Sequence, residues 1–431
     1  MPELNFLTAH DRMHMKRAFQ MMVKPFGPVC NLTCDYCYYL EKANIYEGKK
    51  NEPVQFRMKD EVLEKFIRDY IQSQPGEELL FSWQGGEPTL LGIDFFKKVL
   101  ALQEKHSDGR KISNALQTNG TMIDDNWSEL FAANDFLIGL SVDGPREVHD
   151  HYRTFASGKG SFNRVMEGVR LFHKHGVEFN TLTVVNDRNA RVPLRVYRFL
   201  KDIGSSFMQF IPIVEREAVN PDVKLKLVAN DYKEDTWVTE ESVEPEDWGK
   251  FLVKIFEEWV RIDVGSVFVN YFDNTLAPYT GESPSLCTMR QTCGDALVME
   301  HNGDVYSCDH FVYPQFFLGN MMQESMEGMA KSDRQLRFST MKRDTLPREC
   351  RECPYLQMCG GDCPKHRFVE NDDGEFITYL HDGFLYYFEH VDRYMKIMAE
   401  ELRHKRPPAN IMKMFPEKER RRILQRTKYR L

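Results

Sequence analysis

No uninterrupted apolar run in this chain approaches the roughly 20 residues that span a bilayer. The first twenty residues, MPELNFLTAHDRMHMKRAFQ, lack the apolar centre of a signal peptide, because charges break every short run. Surplus positive charge is missing too. Against 65 Asp and Glu stand 57 Lys and Arg, so the formal charge of -8 gives no general attraction for nucleic acid. These absences predict a protein without a membrane span or a polyanion partner, placed in the cytoplasm, where thiols stay reduced. Cysteine itself is absent between Cys37 and Cys287, although the chain holds ten. Three stand at Cys30, Cys34 and Cys37, and the other seven lie from Cys287 to Cys363. In a reducing compartment such grouping points to metal or redox cofactors rather than disulfides, and the gap assigns the groups to two regions.

What is present is a soluble globular composition, 42% hydrophobic and 28% charged, over 431 residues that suffice for two or three domains. From about residue 20 to 215, strand-like runs alternate with amphipathic helical patterns. MMVKPF, LLFSWQ, ISNALQT, FLIGLSV, FNTLTVV and FMQFIPI read as strands. Between them, DEVLEKFIRDYIQS gathers Val62, Phe66, Ile67, Tyr70 and Ile71 on one face, and SFNRVMEGVRLFHKHG stops at Gly176, a C-terminal cap. Six βα units in series predict an α/β fold with parallel strands. Since six is short of eight, the expected form is a partial (β/α)6 TIM-like barrel followed by a C-terminal cysteine-rich domain. The polar motifs all follow strands: the first cysteines, QGGEP, QTNG and SVDGP. Strand C-termini carry the sites of such folds, so these motifs should converge. Gly85 and Gly86 suit a close backbone approach or a plain turn, with Glu87 able to accept hydrogen bonds. The expected divisions are an extension over 1–19, the barrel over 20–246 with a charged connection or lid from 215, the cysteine-rich domain over 247–400, and a basic tail over 401–431 read as a solvated helix.

The stretch CNLTCDYCYY lets three thiolates turn toward one centre and leaves a fourth position open. A 4Fe–4S cluster held by Cys30, Cys34 and Cys37 would keep one iron free for a small molecule. The other readings are mere coincidence, against which Tyr36, Tyr38 and Tyr39 interleave the cysteines and a strand precedes them, and a three-cysteine zinc site. Zinc takes four ligands, and no His or Cys occurs within sixty residues after Cys37.

CxxxCxxC after the first strand and GGE after the second resemble the radical S-adenosylmethionine (SAM) enzymes. There the free iron is chelated by the amino and carboxylate groups of SAM, and an electron from the cluster cleaves SAM to a 5′-deoxyadenosyl radical. The ordered set CNLTCDYCYY, QGGEPTL, LQTNGT and GLSVDGP, with the later cysteines, is similar to the anaerobic sulfatase-maturating enzymes over residues 20–400. The resemblance implies oxidation of a Ser or Cys in an extended, unfolded sulfatase segment to Cα-formylglycine, with an electron donor such as flavodoxin or ferredoxin. It also implies that Tyr36, Gly86, Ser141, Arg153 and Val214 contact SAM, Val214 standing where the family has leucine. Other peptide modifiers of the same kind form thioether or carbon–carbon crosslinks, and a zinc-containing binding protein is the reading from a different class.

By the same resemblance the later cysteines form a SPASM extension with two auxiliary 4Fe–4S clusters, three in all. Cys287, Cys293, Cys308 and Cys363 would hold the first; Cys350, Cys353 and Cys359 would hold the second. Taken alone, CRECPYLQMCGGDC also fits a zinc knuckle with four local ligands. The family's last cysteine is missing, and YLHDGF puts His381 there, either as a ligand or as a bystander. Asp309, next to Cys308, is implied to be the general base; on residue type alone a turn-forming aspartate is the alternative. His149 and His151 flank Asp150, but their i, i+2 spacing gives no shared helical face, so they read as surface or cleft residues rather than a metal site.

Overall fold

The computed structural model describes residues 18–46 and 54–426. The expected extension over 1–19 falls almost wholly outside them, as do the last five residues of the tail. Six strands run in parallel: β1 (Gln20–Lys24), β2 (Glu78–Trp83), β3 (Lys111–Thr118), β4 (Leu137–Ser141), β5 (Phe179–Val185) and β6 (Phe207–Pro212). Their order in space is their order in sequence, with helices between them, so the partial barrel expected from six βα units is present.

Each crossover is driven by one apolar stripe. The helix Asp60–Ser73 buries Val62, Leu63, Phe66, Ile67, Tyr70 and Ile71 against the sheet. A helix of that length is marginal in isolation, and side chains stabilising by about 1.5–3 kcal/mol each when buried hold it in place. The helix Phe162–His175 ends on Gly176 at φ 70°, the left-handed cap that glycine adopts without strain.

The sheet does not stop at β1 and β6. After the short hairpin β7 (Arg216–Ala218) and β8 (Thr236–Val238), β9 (Phe268–Val269) adds in parallel to β6. On the other side β10 (Ala296–Glu300) pairs in parallel with β1, and β11 (Asp304–Tyr306) and β12 (Phe317–Asn320) continue it antiparallel. The ten-stranded order β12-β11-β10-β1-β2-β3-β4-β5-β6-β9 therefore carries the cysteine-rich region as a physical extension of the barrel sheet. A separate hairpin, β13 (Arg367–Glu370) with β14 (Phe376–Thr378), completes that region. The charged stretch after β6 is fastened at its middle: the Glu41 carboxylate accepts from the Lys226 and Leu227 amides at 2.8 and 3.2 Å, and Tyr313 donates to the Leu227 carbonyl at 3.1 Å.

The long helix His381–Arg403 packs across Pro245–Ile262 at two glycines. A Cβ on Gly383 would stand 2.1 Å from the Pro245 carbonyl oxygen, and one on Gly249 would stand 2.6 Å from the Gly383 carbonyl oxygen. Backbone faces backbone here, so no rotamer change relieves the clash. Gly383→Ala should destabilise the fold by about 1–3 kcal/mol, seen as a lower denaturation midpoint. An unchanged midpoint would show that the helices can separate freely. Among the described residues no helix is long and apolar enough to cross a membrane.

Candidate functional site

Cys30, Cys34 and Cys37 occupy the loop that leaves β1. Its conformation is set from the neighbouring strand. The amides of Gly86 and Glu87 donate to the carbonyls of Gly27 and Val29, both at 2.8 Å, so the two loops run together. A Cβ on Gly86 would lie 2.1 Å from the Val29 carbonyl oxygen, which explains glycine there. Glu87 is fully buried and binds the third motif: its carboxylate accepts from Thr118 Oγ1 at 2.8 Å and the Asn119 amide at 2.7 Å, besides Thr89 Oγ1 at 2.6 Å. Asn119 in turn donates to Asn31 Oδ1 at 2.9 Å and approaches Cys30 Sγ at 3.7 Å. Three motifs far apart in sequence thus converge on the thiols, as the strand-end argument predicts. Burial pushes the Cys30 and Cys34 thiols up, to about 11 and about 12, and the mutual repulsion of the thiolates adds to it.

Tyr36 connects this loop to β4 and the helix Arg146–Tyr152. Its hydroxyl donates to Asp143 Oδ2 at 2.5 Å and accepts from Arg153 Nη1 at 2.9 Å. Arg153 is buried, its charge opposes the upward push on Cys34, and its Nε has no hydrogen-bond partner among the described residues. Ser141 ends β4, two residues before Asp143. Val214 lies in the main core, whereas its neighbour Ile213 packs with Tyr36 and Tyr152 against Cys34. Asp143 and Ile213 were not singled out by sequence; Asp143 stood inside SVDGP, but nothing marked its partner. His149 corrects the surface reading. It is fully buried, its Nδ1 facing the Asp143 amide at 3.4 Å and its Nε2 facing Ser161 Oγ at 2.9 Å. Burial lowers its pKa well below the ordinary imidazole range, so it braces this corner as a neutral ring. His151 remains exposed.

The other two tyrosines of the loop face the β10–β12 side. Tyr38 donates to one Asp309 oxygen, and the buried Lys24 at the end of β1 forms an ion pair with the other. The Lys24 ammonium lies 3.6 Å from the centre of the Tyr39 ring, and Tyr39 donates to the buried Glu300 at 2.7 Å. Burial opposes ionisation of Asp309, yet the charge of Lys24 and the bonds from Lys24 and Tyr38 outweigh it, holding the carboxyl below its usual range. The site therefore presents a fixed, ionised carboxylate one residue from Cys308. Lys24 and Tyr38 gave no sequence signal beyond their nearness to the cysteines.

The remaining cysteines separate into two cavities. Cys287, Cys293, Cys308 and Cys363 line one of about 670 Å³; Cys350, Cys353 and Cys359 line the other together with His381. Cys359 and Cys363 part company because Gly360, Gly361 and Asp362 lie between them at φ 59°, 71° and 57°, three consecutive left-handed residues that turn the chain sharply. Cys363 accordingly feels the charges of Cys293 and Cys287. Buried Lys342 and Arg367 reduce the electrostatic cost of the thiolates. Among the described residues no three His, Cys, Asp or Glu gather to hold a single metal ion. Four thiols lining one cavity and three lining the other are donor sets that suit iron–sulfur clusters.

Comparison with known proteins agrees with this geometry. The profile of the radical SAM superfamily matches residues 25–200, and that of SPASM, an iron–sulfur cluster-binding domain, matches residues 287–354. The chain is 50% identical over 398 residues to a serine-type anaerobic sulfatase-maturating enzyme of Bacteroides thetaiotaomicron, covering 92% of this chain and 95% of that one. It is 33% identical over 374 residues to a cysteine-type enzyme of Clostridium perfringens, covering 86% and 95%. The solved structure of anSMEcpe with bound AdoMet superposes with a TM-score of 0.76 at 32% identity, covering 88% of this chain and 99% of that chain. A second structure of that enzyme, holding AdoMet and the Cp18Cys peptide, superposes equally well at 0.76, over 89% and 99%.

Proposed function

Because this chain belongs to the anaerobic sulfatase-maturating enzymes of the radical SAM superfamily, we propose that it oxidises a seryl or cysteinyl side chain of an unfolded sulfatase segment to Cα-formylglycine. The observation that carries the reading is one loop with two faces: three thiols, and a tyrosine, Tyr38, that reaches the half-buried carboxylate of Asp309 beside a second thiol group. Cys30, Cys34 and Cys37 would hold the 4Fe–4S cluster that binds SAM. Cys287, Cys293, Cys308 and Cys363 would hold one auxiliary cluster, and Cys350, Cys353 and Cys359 contribute to another. When bound, these groups supply hydrogen-atom abstraction from the substrate Cβ and take up the remaining electron.

The chain's own part is positioning and proton transfer. Tyr36, Gly86, Ser141 and Arg153 would contact SAM, with Val214 set behind them in the main core and Ile213 facing Tyr36; the Nε of Arg153, without a hydrogen-bond partner among the described residues, is a buried donor suited to an anionic ligand group. Asp309, ionised and oriented by Lys24 and Tyr38, takes the proton from the substrate hydroxyl or thiol. A small redox protein such as flavodoxin or ferredoxin would supply electrons, and clusters held by thiolates fit the reducing cytoplasm.

Anaerobic turnover of the iron-loaded protein with SAM and paired Ser and Cys peptides tests the reading. A hydrazine-reactive aldehyde should form with 5′-deoxyadenosine, and Cys30→Ala, Cys34→Ala or Cys37→Ala should abolish both. A peptide that loses hydrogens without gaining an aldehyde would identify a crosslinking enzyme. A colourless, zinc-loaded protein would remove radical chemistry altogether.

A further inference from the structure

The second cavity holds an unequal ligand set. All ten cysteines are assigned once three sit on the first loop and four line the larger cavity, so only Cys350, Cys353 and Cys359 remain for the other. Three thiols leave one corner of a cubane unfilled. His381 is the other strong donor lining that cavity, whose remaining walls include the apolar Leu356, Phe384, Leu385 and Phe388.

A carboxylate also stands beside the ring. His381 Nε2 lies 3.3 Å from Glu349 Oε1, and Glu349 directly precedes Cys350 on the short helix Arg348–Glu352. Ligating imidazoles characteristically give their second ring N–H to a carboxylate, which fixes the tautomer and frees the other nitrogen's lone pair for the metal. His381 is moreover the first residue of the long helix His381–Arg403, anchored two residues on by the close Gly383–Pro245 backbone contact, so its position is not that of a mobile surface side chain.

We infer that His381, through Nδ1, is the fourth ligand of the second auxiliary cluster, and that Glu349 is the carboxylate that orients it. The inference rests on the function proposed above. A neutral imidazole in place of a thiolate leaves the cluster less negative and raises its reduction potential relative to a four-thiolate cluster in the same cavity.

The test uses full-length protein loaded anaerobically, with 14N- or 15N-histidine, and pulsed EPR of the dithionite-reduced state. The wild type should carry about twelve irons, three four-iron clusters, and show a histidine-nitrogen coupling that changes on 15N labelling. His381→Ala should abolish that coupling. His381→Cys should abolish it while keeping the iron count, with one potential shifted downward. Glu349→Gln should keep the iron and alter the coupling, a change that loss of packing alone would not produce. A coupling that survives in His381→Ala, or twelve irons without any histidine coupling, overturns the assignment. About eight irons with intact SAM cleavage likewise overturns it while leaving the proposed function standing. Protein that binds no iron–sulfur cluster would instead defeat the underlying function.

Discussion

Asp309→Asn should leave SAM cleavage running while formylglycine formation falls by about 10²–10⁴-fold, the contribution expected of a positioned base. Asparagine keeps the shape and an acceptor for Tyr38 but cannot take a proton. The ion pair with Lys24 is lost as well. Lys24 is only 1% exposed, and breaking a buried pair from one side costs on the order of 3–5 kcal/mol because a charge is left unmatched. The Tyr39 ring beneath the ammonium offsets a part of that. A double variant, Lys24→Met with Asp309→Asn, removes both charges and separates the two effects. It should regain the stability lost by the single variant and still make no aldehyde. Parallel time courses of 5′-deoxyadenosine and peptide aldehyde, with a denaturation curve for each variant, give the answer. Normal aldehyde formation by Asp309→Asn would remove the base from the mechanism.

The contrast between Asp309 and Lys24 shows what the sequence discloses. Asp309 was accessible through its place beside Cys308 and the resemblance that place supports. Lys24 was not, because a lysine at the end of a strand ordinarily reads as solvated, and its burial depends on a carboxylate nearly three hundred residues away. The same limit governs the sheet. Each of β1 to β6 is a local apolar run with its own crossover, so period and punctuation identify it. The pairing of β1 with β10, Gln20 opposite Ala296, has no local signature, and it is this pairing that places Cys308 and Asp309 beside the first cysteine loop. His149 misled for a related reason. On a seven-residue helix the inward face cannot be told from the outward one without knowing that Asp143 and Ser161 await the ring. Motif residues were legible by type, while their partners were not.

Gly86 is where a single methyl group should do the most damage to the first cluster. The built Cβ meets the Val29 carbonyl oxygen at 2.1 Å, the Val29 carbonyl carbon at 2.4 Å and the Pro28 carbonyl carbon at 2.8 Å, all backbone atoms with no rotamer to yield. Gly86→Ala must therefore part the two loops, straining the 2.8 Å bonds to Gly27 and Val29, each worth about 0.5–1.5 kcal/mol. The disturbance does not end there. Glu87 shares that segment, and its buried carboxylate relies on donors from Thr89, Thr118 and Asn119 that a shift would misalign. Val29 is the immediate neighbour of Cys30, so the first thiol moves away from the other two. The expected result is a loss of about four irons per chain, one cluster, with SAM cleavage abolished. The two later cysteine cavities include none of Gly27, Val29, Gly86 and Glu87, the larger touching β1 and β2 only at their opposite ends, so their iron should remain. Iron analysis and 5′-deoxyadenosine assays on the same anaerobic preparation make the comparison. If Gly86→Ala keeps its full iron content and cleaves SAM at the wild-type rate, the loops can separate without moving Cys30, and the glycine is there for a reason other than close approach.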